Sequence, residues 1–156
     1  MKTAVFYEHI LEGAKQSGKS VAELMEKCAS WNIRGIEIGD ALLRENKEEI
    51  KDLLEKNHMQ VSCSNAFYDF GHNPDAAQGK KQIDLAEEFG VSKVLIIPGE
   101  LSENEASALN ALSASKEQTD SYMSENASIQ NMVQALKELV AYGKEKNILV
   151  TLEDFD

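Results

Sequence analysis

Residues 93–100 read KVLIIPGE, a short aliphatic run that is stopped by a proline and a glycine and followed by an acidic residue. Runs with a similar layout occupy residues 34–40 (RGIEIGD), 59–64 (MQVSCS) and 148–154 (ILVTLED). Their apolar residues are largely continuous instead of alternating with polar ones, which is typical of parallel strands that are covered on both faces. Together with an apolar run at residues 3–7 (TAVFY), they predict five parallel strands.

Helical patterns separate these strands. The predicted helices cover residues 20–31, 46–57, 75–89 and about 122–146. Ser20 with Glu23, and Asn46 with Glu49, have the spacing of residue pairs that cap the first turn of a helix. The polar residues 100–120 lack a strand period and are compatible with an exposed loop or a short helix. Strand and helix therefore alternate along the chain, and such repeats are joined by right-handed crossovers.

Two α/β architectures have this alternation: a doubly wound sheet of the flavodoxin type and a (β/α)₈ barrel. The first turn, residues 7–13 (YEHILEG), lacks the small-residue loop that would bind a phosphate at a helix N-terminus. A doubly wound sheet would also need a helix after residues 148–152, where the sequence has none. Since a complete barrel takes about 250 residues, we expect residues 1–156 to form a single domain, the N-terminal half of a barrel with about four βα units and a fifth strand.

A half barrel would expose an edge strand and an apolar sheet face, and both favour aggregation. We therefore expect this chain to be a truncated part of a longer protein that is missing its C-terminal half. The alternative is a chain that is completed by a second copy of itself, as a homo-oligomer, or by another polypeptide.

Composition narrows the class of protein. The net charge of −11 argues against a nucleic-acid partner, because such a partner requires a positive surface for its phosphates. No apolar run approaches the ~20 residues of a membrane span, and the N-terminus lacks the apolar segment and cleavage site of a signal peptide. These features predict a cytoplasmic protein without a membrane partner. Cys28 and Cys63 lie outside any CxxC pair and are interpreted as small buried side chains.

In a barrel, functional side chains come from the C-terminal ends of the strands. The candidates at those positions are Tyr7, Glu8, His9, Glu37, Asp40, Asn65, Asp69, His72, Glu100, Glu153 and Asp154. The residues that we expect to contact the substrate are Tyr7, His9, Glu37, Asn65 and His72. Because Ile36 and Ile38 point to the other side of their strand, Glu37 should face the barrel interior, where it binds substrate or pairs with a basic residue.

The histidines allow more than one interpretation. His9 either touches a ligand at the mouth of the pocket or is a surface histidine. His72, which precedes a predicted helix, either binds substrate or caps local structure. His58 is expected to end the second predicted helix, and Trp31 and Met25 are expected to lie in the core.

The strand ends RGIEIGD (34–40), VLIIPGE (94–100) and above all VTLEDFD (150–156) resemble the xylose isomerase-like family of barrels. That family includes sugar phosphate isomerases, ketose 3-epimerases, inosose dehydratases and type IV apurinic endonucleases. The resemblance implies that Glu153 binds a divalent metal and, as in the epimerase branch, exchanges a proton with the substrate. It also implies that the other metal ligands come from strands six to eight, beyond the five predicted here.

The implied cofactor is Mn²⁺, Mg²⁺ or Zn²⁺, since hard divalent cations prefer carboxylate oxygens. The implied partner is a small-molecule sugar or sugar phosphate. The resemblance therefore favours a metal-dependent sugar isomerase or epimerase, expected to be inactive as this fragment. Two alternatives stay open: a metal phosphodiesterase of the endonuclease kind, which the negative charge and the scattered histidines disfavour, and a non-catalytic half-barrel fragment.

Overall fold

The computed structural model describes residues 3–153. The strands are β1 (Ala4–Phe6), β2 (Gly35–Gly39), β3 (Gln60–Phe67), β4 (Lys93–Ile97) and β5 (Leu149–Leu152). Neighbouring strands are parallel and form one sheet in the order β1-β2-β3-β4-β5. This order confirms the prediction of a partial barrel, because a flavodoxin-type sheet would place β1 between β2 and β3.

Helices occupy most of the chain between the strands. They are α1 (Tyr7–Ser17), α2 (Val21–Ser30), α3 (Asp40–Glu45), α4 (Lys47–Asn57), α5 (Ala77–Glu88), α6 (Glu103–Leu112), α7 (Lys116–Glu125) and α8 (Ala127–Glu145). Across residues 3–153, no helix combines the length and the apolar character that a membrane crossing requires.

Four helices, α1, α6, α7 and α8, differ from the sequence-based expectation. The first strand ends at Phe6 instead of residue 7, and Tyr7 already begins α1, whose N-cap Phe6 makes no side-chain hydrogen bond. The polar residues 100–120 contain α6 and α7, and α6 begins at a complete capping box of Ser102 and Glu105. The long last helix begins at Ala127 instead of about residue 122, because the side chain of Asn126 caps it.

The capping predictions have mixed outcomes. Ser20 and Glu23 form the expected capping box of α2. Asn46 does not cap α4 with its side chain, because α3 runs almost directly into α4 and the Asn46 amide donates instead to the carbonyl of Leu42, at 3.0 Å. His58 ends α4 in the left-handed conformation, at φ 52°, as expected for a C-terminal cap.

One face of the sheet packs against the helices and forms the core. The buried strand residues on this face are Ile36, Ile38, Val61, Val94 and Ile96. Met25, Cys28 and Cys63 are buried, as expected. Trp31 was expected in the core, but its side chain is 64% exposed, because it lies at the end of α2 with the Lys27 ammonium 5.0 Å from its ring centroid.

The opposite face of the sheet is more open. Phe67 and Leu149 alternate with residues of the buried face, and their side chains are 70% and 63% exposed. In a complete barrel this face would line the interior, so side chains that project from it are the candidates for a ligand site.

Candidate functional site

Glu37 and Asn65 form the centre of the candidate site. Gly39, at the end of β2, pairs with Asn65 of β3, and Glu37 lies two residues earlier on β2. The amide Nδ2 of Asn65 lies 3.5 Å from the carboxylate Oε1 of Glu37. Glu37 is half-buried between the fully buried Ile36 and Ile38, so it projects from the open face, as the sequence predicted.

Burial raises the pKa of the Glu37 carboxyl above its ordinary value. The hydrogen bond from Asn65 and the charge of Lys93 lower it, and the charges of Glu153 and Glu8 raise it again. The raised pKa makes the protonated form of Glu37 easier to reach than that of a fully exposed glutamate, so this carboxyl group can donate to a ligand hydroxyl as well as accept from one.

Glu153 follows β5 directly and is exposed. Thr151, two residues earlier, pairs with Leu95, and Leu95 pairs with Asn65, so alternation along β5 directs Glu153 to the same face. Asp154 lies outside the described residues. Within residues 3–153, no group of three or more His, Cys, Asp or Glu side chains is arranged to hold a metal ion.

Tyr7 and His9, the two candidate residues that follow β1, differ in how far their side chains are exposed. Tyr7 is only 3% exposed and packs into the core, where burial, with the charges of Glu49 and Glu8, raises its pKa. His9 is exposed on α1, with its ring edge-on to Phe6 at 5.4 Å between centroids. It lines a cavity of about 200 Å³ between α1 and α2, whereas Glu37 lines a different cavity.

His72 lies on the exposed loop that leads from β3 to α5. Its Nδ1 is 2.7 Å from the carboxylate Oδ1 of Asp69, and this hydrogen bond and charge raise the pKa of His72. The pairing fixes the orientation of the imidazole. Contact of His72 or His9 with a substrate stays a prediction.

Three features of this region were not apparent from the sequence. Glu8 accepts a hydrogen bond from the backbone N–H of Gly39, at 2.8 Å. Lys93, the first residue of β4, brings a positive charge close to Glu37, and both line a cavity of about 600 Å³ that opens at the N-terminal ends of the strands, away from Gly39 and Asn65. Cys63 pairs with Glu37 across the strands, and burial raises the pKa of its thiol to about 11, so it is not a nucleophile at neutral pH. Each of these contacts joins residues that are distant in sequence, so no local sequence pattern predicts it.

Comparison with solved structures identifies proteins of similar fold. A sugar phosphate isomerase/epimerase from Parabacteroides distasonis ATCC 8503 matches 97% of this chain and 50% of its own, with a TM-score of 0.60 and 12% identity. A xylose isomerase domain protein from Planctomyces limnophilus matches 97% of this chain and 53% of its own, with a TM-score of 0.55 and 13% identity. A mannonate dehydratase from Streptococcus suis serotype 2 has the same coverage, a TM-score of 0.56 and 15% identity.

The chain thus spans about half the length of the structures that it matches. A search of curated proteins finds no match. The model of a protein family described as xylose isomerase-like TIM barrels matches residues 25–156, which is most of the sequence. The chain therefore belongs to the xylose isomerase-like TIM barrel family.

Proposed function

We propose that this chain is the N-terminal half of a sugar or sugar-phosphate isomerase or epimerase that uses a divalent cation. The observation that carries the proposal is the presence of Glu37, Asn65 and Glu153 on one face of the sheet, towards the edge where barrel active sites lie. Family membership supports it, as do structural neighbours described as a sugar phosphate isomerase/epimerase and a xylose isomerase domain protein.

Carboxylates and an amide suit a polyhydroxylated substrate. Asn65 both donates and accepts hydrogen bonds, and Glu37 accepts from a sugar hydroxyl when it is ionised or donates to one when it is protonated. Because burial favours the protonated form of Glu37, this group can change its role as the substrate binds. We assign Glu37 and Asn65 to substrate binding.

We assign Glu153 to cation binding and to proton transfer. A divalent cation on the oxygens of an α-hydroxyketone makes the adjacent C–H more acidic. The Glu153 carboxylate would accept the proton from that carbon and, in an isomerase, return it to the neighbouring carbon. In an epimerase a second acid, on the opposite face of the substrate, would have to return a proton to the same carbon. The exposed position of Glu153 gives it access to a ligand in the barrel mouth.

Glu153 is a suitable ligand for a hard cation, but it is only one ligand. Residues 3–153 do not bring together three candidate ligands, and we propose that the other ligands come from further strands, contributed by additional chain, a second copy or another polypeptide. We therefore assign activity to the completed barrel and not to these residues alone.

The proposal is tested on the complete protein with a panel of ketoses and ketose phosphates in D₂O, with Mn²⁺, Mg²⁺ or Zn²⁺ added. NMR should show deuterium entering the carbon next to the carbonyl. Glu153→Gln keeps the size of the side chain and removes its charge, so it should weaken cation binding and slow this exchange about 10²–10⁴-fold.

Glu145→Gln is the matched control, because Glu145 is an exposed glutamate at the end of α8 and the substitution makes the same change in charge. It should leave cation affinity and exchange unchanged. Wild-type rates and cation affinity in Glu153→Gln, on a substrate that the wild type converts, would refute the assignment of Glu153.

A further inference from the structure

Strand β1 is shorter than β2. The end of β2 therefore has β3 as a partner on one side but no strand partner on the side of β1. Phe6, the last residue of β1, pairs with Glu37, whereas β2 continues for two more residues to Gly39. The backbone N–H of Gly35 donates to the carbonyl of Thr3, at 3.2 Å. Because donors to one neighbour recur every second residue, the N–H of Gly39 faces the same side and would need the carbonyl of residue 7.

That carbonyl belongs to the first turn of α1, because the chain leaves the sheet at Tyr7. The side chain of Glu8 takes its place, and its Oε1 accepts from the Gly39 N–H at 2.8 Å. A carboxylate is a stronger acceptor than a peptide carbonyl, so this bond can hold the strand end without a continuing ladder.

Glycine at position 39 allows a close approach of Glu8. A Cβ built on Gly39 would lie 3.1 Å from Oε1 of Glu8, which is a tight contact, and 3.8 Å from Oδ1 of Asn65, which is an ordinary one. The backbone of Gly39 is extended, at φ −62°, so its conformation does not favour glycine. Glu8, Gly39 and Asn65 therefore meet at one point, two residues beyond Glu37.

We propose that Glu8 is a positioning residue for the ligand site: by holding the Gly39 amide it fixes the end of β2, and so the placement of Glu37 beside Asn65. The inference rests on the proposed function for the role of Glu37 and Asn65 in substrate binding. The charge of Glu8 also contributes to the raised pKa of Glu37, so the two carboxylates are coupled through space as well as through β2.

Two variants separate the hydrogen bond from the charge. Glu8→Gln keeps an oxygen acceptor and removes the charge, whereas Glu8→Ala removes both. In the complete protein, hydrogen exchange of the Gly39 amide should be about tenfold faster or more in Glu8→Ala and close to wild type in Glu8→Gln. Glu37, followed by NMR of its carboxyl carbon, should titrate at lower pH in both variants.

The kinetic readout uses a sugar that the wild type converts. Glu8→Ala should raise KM about tenfold with little change in kcat, because substrate binding is disturbed and the proton-transfer group is not, and Glu8→Gln should restore KM. Glu12→Ala is the control: Glu12 lies one turn later on α1 and is exposed, with Gln16 donating to it at 2.9 Å. It should change neither Gly39 exchange nor KM.

Unchanged Gly39 exchange in Glu8→Ala would overturn the proposal, as would an unchanged KM with faster exchange. Failure of the wild type to convert any sugar would overturn the proposed function instead. In that case faster Gly39 exchange in Glu8→Ala together with a shifted Glu37 titration would still support positioning by Glu8, and the absence of either would refute it.

Discussion

Gln82 on α5 is a fully buried amide that ties two strands together, and its removal should be costly. Its Nε2 donates to the carbonyl of Ser64 on β3, at 3.0 Å, and to the carbonyl of Leu95 on β4, at 3.3 Å. Its Oε1 accepts from the hydroxyl of Tyr68, at 2.9 Å. Leu95 pairs with Asn65, so this amide supports the part of the sheet that carries the candidate site.

Replacing Gln82 with Met keeps the length of the side chain and removes both donors and the strong acceptor. A buried group that loses its partner costs about 1–3 kcal/mol, and an ordinary hydrogen bond contributes about 1 kcal/mol. Gln82 is 0% exposed, so water cannot replace the bonds without entering the core. We expect the free energy of unfolding to fall by about 2–4 kcal/mol, which urea unfolding followed by circular dichroism would measure.

Gln78→Met is the matched control, since Gln78 is the same residue type on the same helix, one turn earlier, and is exposed. Its effect should stay within about 0.5 kcal/mol. If the two variants unfold at the same urea concentration, with the same dependence on urea, the inference that Gln82 links β3 to β4 is wrong.

Two further predictions concern packing and pH. Gly79→Ala on α5 would place a Cβ 2.6 Å from Cδ1 of the fully buried Leu139, so overpacking should cost about 1–3 kcal/mol, whereas Gly13→Ala on α1, at 3.3 Å from the tip of Leu24, should gain up to about 1 kcal/mol from helix propensity. Urea midpoints that fall in the opposite order would contradict this. Hydrogen bonds from Ser102, Ser128 and Asn126 lower the pKa of Glu105 from 4.5 to about 2. A lowered pKa stabilises the fold above pH 4.5, and the effect fades as the pH falls to about 2. The stability difference between wild type and Glu105→Gln should therefore shrink over that range, and a constant difference would count against it.

The strands and their order were predictable because they depend on runs of apolar residues and on simple βα repetition. The helices were predictable where a start signal precedes an apolar stripe, as at Ser20 and Glu23. Helix α1 has no such signal, because its N-cap is Phe6. Helices α6 and α7 bury none of their residues, so they lack the apolar stripe that identifies a helix in a sequence.

The candidate site was predictable in residue type but only partly in position. Glu37 could be placed on the open face because two isoleucines flank it. Tyr7 and His9 were expected at the C-terminal end of the first strand, but the early start of α1 directs Tyr7 into the core and leaves His9 on the helix surface. The hydrogen bond between Glu8 and Gly39 joins residues 31 positions apart, so no local sequence pattern predicts it.

The hydrogen bond between the side chains of Asn65 and Glu37 depends on a single irregularity in β3. Ile36 pairs with Val61, but Glu37 pairs with Cys63, so Ser62 is an extra residue in the ladder, and its hydroxyl donates to the carbonyl of Ile36, at 2.8 Å. In a regular ladder without the bulge, Glu37 would pair with Ser62, and alternation would turn Asn65 towards the helices. The strand MQVSCS alternates without a break between apolar residues (Met59, Val61, Cys63) and polar residues (Gln60, Ser62, Ser64), so the sequence gives no sign of the bulge. A one-residue shift that the sequence does not reveal thus decides which side chain of β3 lies beside Glu37. For this reason the residues of the site could be proposed from the strand ends, but the contacts between them could not.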